Sequence, residues 1–312
     1  MPGFSKDRLR FVICALAVII GISSPVLGMN IDGEQQFGYA ETLFTNQQYR
    51  KAAEEYQRFA FFFKDHPKNR TARFRAGESF LLAGEPAQAV KILNTLVSED
   101  RMDALSMETF FLLAECHLQL DRPTQAVVQL NNVIALSDDP AMDDRAYYRI
   151  GWIHIQMADW PGAMKAFNRM SATGRRRYDL DRLGQALSNA GDRPTKSPLL
   201  AGTLSVVPGG GQLYCHRYED ALIALALNTG FFWAASDAFD KEQYGLGGLL
   251  SFVGLGFYLG NIYGAVNDAH KYNHMHTQQF IDGLQQYQIR IPGPQDGAAM
   301  DSGLVLGLKI PF

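Results

Sequence analysis

The chain has 312 residues, a formal net charge of −3 and 20% charged residues. Two domains are expected at this length, and so slight an acidic balance excludes a basic nucleic-acid-binding surface as the main device. Three cysteines are too few for a disulfide framework, so stability must come from buried apolar surface.

At the N-terminus, Lys6, Arg8 and Arg10 precede the apolar run "FVICALAVIIGISSPVLG". Val26 and Gly28 stand at the small −3 and −1 positions of a cut after Gly28, so residues 1–28 read as an export signal. If it is retained, residues 11–29 are just long enough to anchor the chain. Export would put the remainder in a cell envelope, outside the cytoplasm.

From residue 34 a period of 37 sets in. Ala40, Gly77, Ala114 and Gly151 are one set of small residues, and Ala52, Ala89, Ala126 and Ala163 are a second. Tyr56, Leu93, Leu130 and Phe167 recur in phase, as do Phe59, Leu96, Val133 and Met170. Within a unit the apolar spacing is helical, as in Ala89, Leu93 and Leu96. Pro86, Pro123 and Pro161 fall near the starts of second helices, where a missing N–H costs little. The small residues are expected to let the helices of a pair approach, with the bulky set filling the space between pairs. "LDRLGQALSNAG" is expected to close the stack as a solvated cap.

This order of small residue, apolar pair, turn, alanine and bulky residue resembles the tetratricopeptide repeat. The tail "FFFKDHPKNR" and the extra three residues per unit resemble repeats of bacterial envelope proteins, among them the helical lipoprotein of the outer-membrane barrel-assembly machinery. The resemblance covers about residues 34–172. It implies a non-enzymatic helical solenoid, over residues 34–190 with its cap, that binds proteins or peptides in a concave groove. Carried over by position, the groove residues are Phe37, Glu41, Phe74, Glu78, Phe111, Glu115, Tyr148 and Trp152. The bland alternative is that these aromatics are packing.

Residues 196–273 change character. After Glu219 and Asp220 come "ALIALALNTGFFWAASDAF" and, past the polar turn "DKEQYG", "LGGLLSFVGLGFYLGNIYGAVNDA". Both runs reach the roughly 20 residues that span a bilayer. Ala226, Gly230 and Ala234, and Gly256, Gly260 and Gly264, are four apart, so each set shares a helix face. They predict a close-packed antiparallel hairpin, with Asn228 and Asn261 bonding to each other at matching depth.

"PGGGQLY" between these halves lacks the Gly-Lys-Ser/Thr of a phosphate loop and the preceding strand of a dinucleotide site. Pro208, Gly209, Gly211, Gln212 and Tyr214 read instead as an interfacial bend. The block "SPLLAGTLSVVPGGGQLY" to "GNIYGAVNDAHKYN" resembles P-G-x-G-Q-x-Y segments of bacterial proteins with small helical membrane domains. Cys215-His216 stand where those often carry Gly, and no activity comes with the likeness. The segment 198–214 is expected to dip into the bilayer, although a third crossing would better suit the positive-inside tendency for Arg217 and Lys271.

His270 and His274 are one turn apart but lack the partners of a metal site, so no metal or cofactor is expected. In the tail 274–312, "YQIRI" and "GLVLGLKIPF" alternate as strands do and suggest a short β-hairpin, or strand addition to a partner's sheet. The terminal run resembles the last strand of outer-membrane barrels.

The sequence thus predicts an all-α chain, a tetratricopeptide-like solenoid followed by a transmembrane helical hairpin. The expected function is an envelope scaffold with its repeats in the periplasm, binding a protein or peptide partner and membrane lipid, and no nucleic acid. The alternative is an accessory subunit of a membrane transport or membrane-enzyme complex, with Gln212, Asn228, Asn261 and Asp268 lining a polar path.

Overall fold

The structure, a computed structural model, describes residues 32–99 and 101–289. The export signal and most of the strand-like tail lie outside those residues. The described residues hold helices and no strand, and fall into two compact units divided between Leu96 and Val97.

The first unit holds α1 (Gly33–Thr45), α2 (Tyr49–Phe62), α3 (Asn69–Leu82) and α4 (Pro86–Val97). Asp32 caps α1 by accepting from the Gln35 N–H at 2.8 Å, satisfying a donor the helix leaves free. Phe37, Tyr56, Phe59 and the alanines 40, 52 and 76 form its core. The second unit continues the pattern with α5 (Ala104–Gln119), α6 (Pro123–Leu136), α7 (Pro140–Gln156) and α8 (Trp160–Asn168). Asp103, Asp139 and Asp159 cap α5, α7 and α8. Pro123 and Pro161 lie in the first turns of α6 and α8, and Pro86 opens α4.

All four phased sets are buried where they were expected to be, with every member of the second alanine set fully enclosed. The bulky set sits closer to home than the spacing implied. A Cβ on Gly77 would meet Leu93 at 2.5 Å, and one on Gly151 would meet Phe167 at 2.1 Å. Each of these bulky residues lies directly over the small residue of its own pair, because the two helices cross there.

The turn inside each pair carries a residue of positive φ, at Gln47, Gly84, Asp121 and Ala158. Each turn closes with the same two backbone bonds, as in Ala158 N–H to Ile155 O and Asp159 N–H to His154 O. This αL ending satisfies the last helical carbonyls, and only one of the four repeats uses the glycine that favours it.

After α8 come α9 (Ala172–Arg177) and α10 (Leu180–Ser188), then α11 (Pro198–Leu204), α12 (Gly210–Tyr214), α13 (Tyr218–Asp240) and α14 (Tyr244–Leu284). The helix α14 has 41 residues. It runs past residue 273, where the tail was expected to begin, and ends against the last repeat. Ile281 and Leu284 bury themselves with Leu180, Leu183, Leu187 and Phe167, and Phe280 stands edge-on to Trp160. The cap of the solenoid is therefore α10 plus the end of α14, since α10 alone leaves an apolar face uncovered.

Candidate functional site

Three arrangements gather polar chemistry. The first is a set of ion pairs along the first helix of each pair, α1, α3, α5 and α7. In the first unit, Tyr56 Oη donates to Glu41 at 2.6 Å. Arg75 pairs with Glu78 at 2.8 Å and with Glu41 at 3.4 Å, its guanidinium over the Phe44 ring. Burial, then the Glu41 carboxylate, pushes the Tyr56 phenol far above its ordinary range. In the second unit Arg145 binds Glu108 and stacks on Phe111, with Arg149 over the same ring and beside Glu115. Burial raises Glu115 although Arg149 opposes it, and lowers Arg149 although Glu115 opposes that.

The groove residues thus separate by burial, and Glu115 (7% exposed) is enclosed with the rings. Phe37, Phe74, Phe111, Tyr148 and Trp152 are at most 9% exposed and belong to the core. Tyr148 stacks on Tyr178 at 4.2 Å and its hydroxyl accepts from the Ile289 N–H at 2.7 Å. The rings of Phe37 and Tyr148 pack against neighbouring helices. Glu41 and Glu78 keep partial exposure, with Arg75 between them. The arginines escaped notice because Arg75 and Arg149 recur only in alternate units.

The second arrangement is the bend. Ser197 N–H donates to Tyr214 Oη at 3.1 Å, so the segment returns to where it began. At its far end the break between α11 and α12 would strand backbone groups. Asn261 on α14 accepts from Gly209 N–H at 3.4 Å and donates to Ser205 O at 3.1 Å. Tyr258 donates to Val206 O, and Gln212 donates to Asn261 O. Gly209 has φ +85°, and a Cβ there would lie 2.4 Å from Ala221 O. A Cβ on Gly211 would lie 2.2 Å from Ala201 O. The glycines permit both the turn and the close approach.

The expected pairing of Asn228 with Asn261 does not form. Asn228 donates to Ala224 O of its own helix at 2.7 Å, because the amide of Asn261 is engaged by the loop. The small-residue stripes do not meet either. Nothing lies within 4 Å of a Cβ placed on Gly230, Gly256 or Gly260, and the one near Gly264 is Gln212 of the bend. Ala226 is exposed and Ala234 half-buried. The seam instead uses Ala221, Asn228 and Ala235 on α13, and Gly247, Gly254 and Asn261 on α14, each seven apart. Phe231 packs over Gly254 and stacks on Phe257 at 4.9 Å, and Phe239 packs over Gly247. A seven-residue seam suits helices crossing at about 20°, the commoner geometry in membranes, whereas a four-residue stripe suits the steeper right-handed crossing. Gly256 and Gly260 line an open groove of about 480 Å³ beside the seam.

The third arrangement lies where the apolar helices begin and end. Lys196 lies over the rings of Tyr214 and Tyr272, and His216, Tyr218 and His276 extend the ring cluster from Tyr272. Asn273 holds the Lys196 backbone through both its N–H (2.7 Å) and its C=O (2.8 Å). Among the described residues no three His, Cys, Asp or Glu side chains are grouped to hold a metal.

Residues 37–104 match a tetratricopeptide-repeat family model, and residues 145–171 match a second one. The chain therefore carries tetratricopeptide repeats. A solved structure of a TPR repeats protein from Bacteroides fragilis is 11% identical, at a TM-score of 0.35 over 82% of this chain and 99% of that one. No curated protein matches.

Proposed function

We propose that this chain is a non-enzymatic scaffold of a bacterial envelope, held in a membrane by α13 and α14, with the repeats presented to protein or peptide partners. One observation carries the anchoring. Both helices are long and apolar enough to cross a bilayer, yet only 11% of the most apolar stretch of each is buried. Phe232 (80% exposed), Trp233 (72%) and Phe252 (76%) face outward, where a core helix would have covered them. Exposed apolar surface on that scale marks a membrane or partner contact.

The meeting of Ser197 with Tyr214 supports a re-entrant 198–214 and two crossings. Broken backbone is tolerated at membrane depth only where protein satisfies it, which is the work of Asn261 and Tyr258. That occupation of the amides also disfavours the polar-path alternative. The export signal, if it acts as its pattern implies, would leave the repeats in the periplasm. Tetratricopeptide repeats generally bind proteins, and the partly exposed Glu41, Arg75 and Glu78 are the contact surface we favour. Because Arg75 already offsets the two carboxylates, a partner of mixed charge fits better than a strongly basic one.

Cell fractionation with protease access to the repeats tests the anchoring. Recovery of the chain in the alkaline-washed membrane fraction, with repeats cleaved only after the outer membrane is opened, is expected. A chain released into the soluble fraction would overturn it. Photocrosslinking from position 78 should trap a defined protein, and loss of that adduct with Arg75→Glu would tie it to this surface.

A further inference from the structure

We propose that Lys196 holds the phosphate of an anionic phospholipid headgroup at the edge of the membrane domain. The inference rests on the membrane-anchored reading. Lys196 stands one residue before the Ser197 cap of α11, level with Tyr214 at the end of α12 and Tyr272 on α14. Its ammonium lies 4.5 Å from the Tyr214 ring centroid and 5.5 Å from that of Tyr272. Cation–π contact positions a charge but leaves its N–H donors unused. Among the described residues no carboxylate pairs with Nζ and no acceptor takes its protons, whereas Arg217, three residues past Tyr214, is held by Asp220 at 2.6 Å.

The lysine is also fixed in place. Asn273 clasps its backbone on both sides, so residue 196 cannot slide along α14. An unpaired, positioned ammonium beside tyrosines is what a headgroup phosphate meets at a bilayer surface. The hydrocarbon follows directly, for Leu199 is 78% exposed and Leu200 44%. A free phosphate would have no use for those leucines. A zwitterionic headgroup would bring its own cation to the same place as Lys196, so an anionic lipid is preferred.

The opposite turn of the hairpin supplies a control. Lys241 is already paired with Asp237 at 2.8 Å. The full chain, purified in neutral detergent, is offered equimolar phosphatidylglycerol and phosphatidylcholine, and retained lipid is read by native mass spectrometry. Phosphatidylglycerol should be preferred, and Lys196→Gln should reduce that preference about fivefold, as one interfacial cation implies. Lys241→Gln should keep it. Lys196→Gln leaves the Asn273 clasp intact, so its thermal unfolding without lipid should match the parent. Flotation with neutral vesicles separates the two levels. A chain that does not float overturns the anchoring, while one that floats and keeps its preference in Lys196→Gln overturns the headgroup site alone. Displacement of the lipid by equimolar inorganic phosphate would make this a free-anion site and overturn the lipid assignment.

Discussion

Gly151 lies so close beneath Phe167 that a methyl group there would sit 2.1 Å from Cε1. Ordinary carbon contacts are about 3.5–4.0 Å, so Gly151→Ala must push the ring back by about 1.5 Å or part α7 from α8. Overpacking of this kind costs about 1–3 kcal/mol. Alanine returns up to about 1 kcal/mol through helix propensity, leaving a net loss of about 1–2 kcal/mol. Phe167→Leu alone should cost a similar amount by leaving a cavity beside Tyr148. Together the two changes rebuild the Ala114–Leu130 combination, whose members are both fully buried in an earlier repeat. The double variant should therefore be no less stable than Phe167→Leu, a coupling of about 1–2 kcal/mol. Hydrogen exchange of the full chain in detergent reads this locally, because cooperative opening units often coincide with supersecondary motifs such as the α7–α8 pair. Exchange there should quicken about tenfold in Gly151→Ala and show no further gain when added to Phe167→Leu. Strict additivity would refute the contact as the reason for the glycine.

Ala158 has φ +56° in the last intra-pair turn, so Ala158→Gly should raise the unfolding temperature, by about 0.5–1 kcal/mol of stability, while Gly84→Ala at φ +76° should lower it by about 1 kcal/mol. Asn261→Leu strands Ser205 O and Gly209 N–H and should cost about 2–4 kcal/mol in detergent unfolding, whereas Asn228→Leu should cost under about 1 kcal/mol; equal effects would contradict the clasp. Burial pushes the Cys116 thiol up to about 12, so maleimide at pH 8 should label it only after denaturant, and early labelling of the native chain would count against its burial. Its raised value keeps the proton on in the folded state. The associated stability is whole below pH 9 and falls as pH climbs from 9 towards 12.

The repeats were legible because burial in a solenoid is periodic. A residue that faces the neighbouring helix in one unit does so 37 positions later, and Ala89, Leu93 and Leu96 announce their face from spacing alone. Prolines at helix starts and apolar runs of spanning length are equally local signals. The groove was legible only by analogy. Whether Phe111 or Tyr148 points to a ligand or a neighbour depends on side chains contributed by other helices. Arg145, Arg149 and Tyr178 settle it, and none of them lies within one helical turn of Phe111.

The apolar helices α11–α14 divide in the same way. The break at Pro208–Gly211 is written in residue type, since proline lacks a donor and glycine favours the αL turn at 209. That the break would be healed by Asn261, some fifty positions onward, could be decided only when α14 was laid against it. The glycine stripes show the limit from the other side. Four-residue spacing states which residues share a face, but the packing partner chooses which face is used, and here Phe231 and Phe239 seat on Gly254 and Gly247. Local chemistry determined where the helices are and where they stop. Long-range packing decided which polar groups pair, which surfaces close, and that the far end of α14 completes the cap of the solenoid with α10.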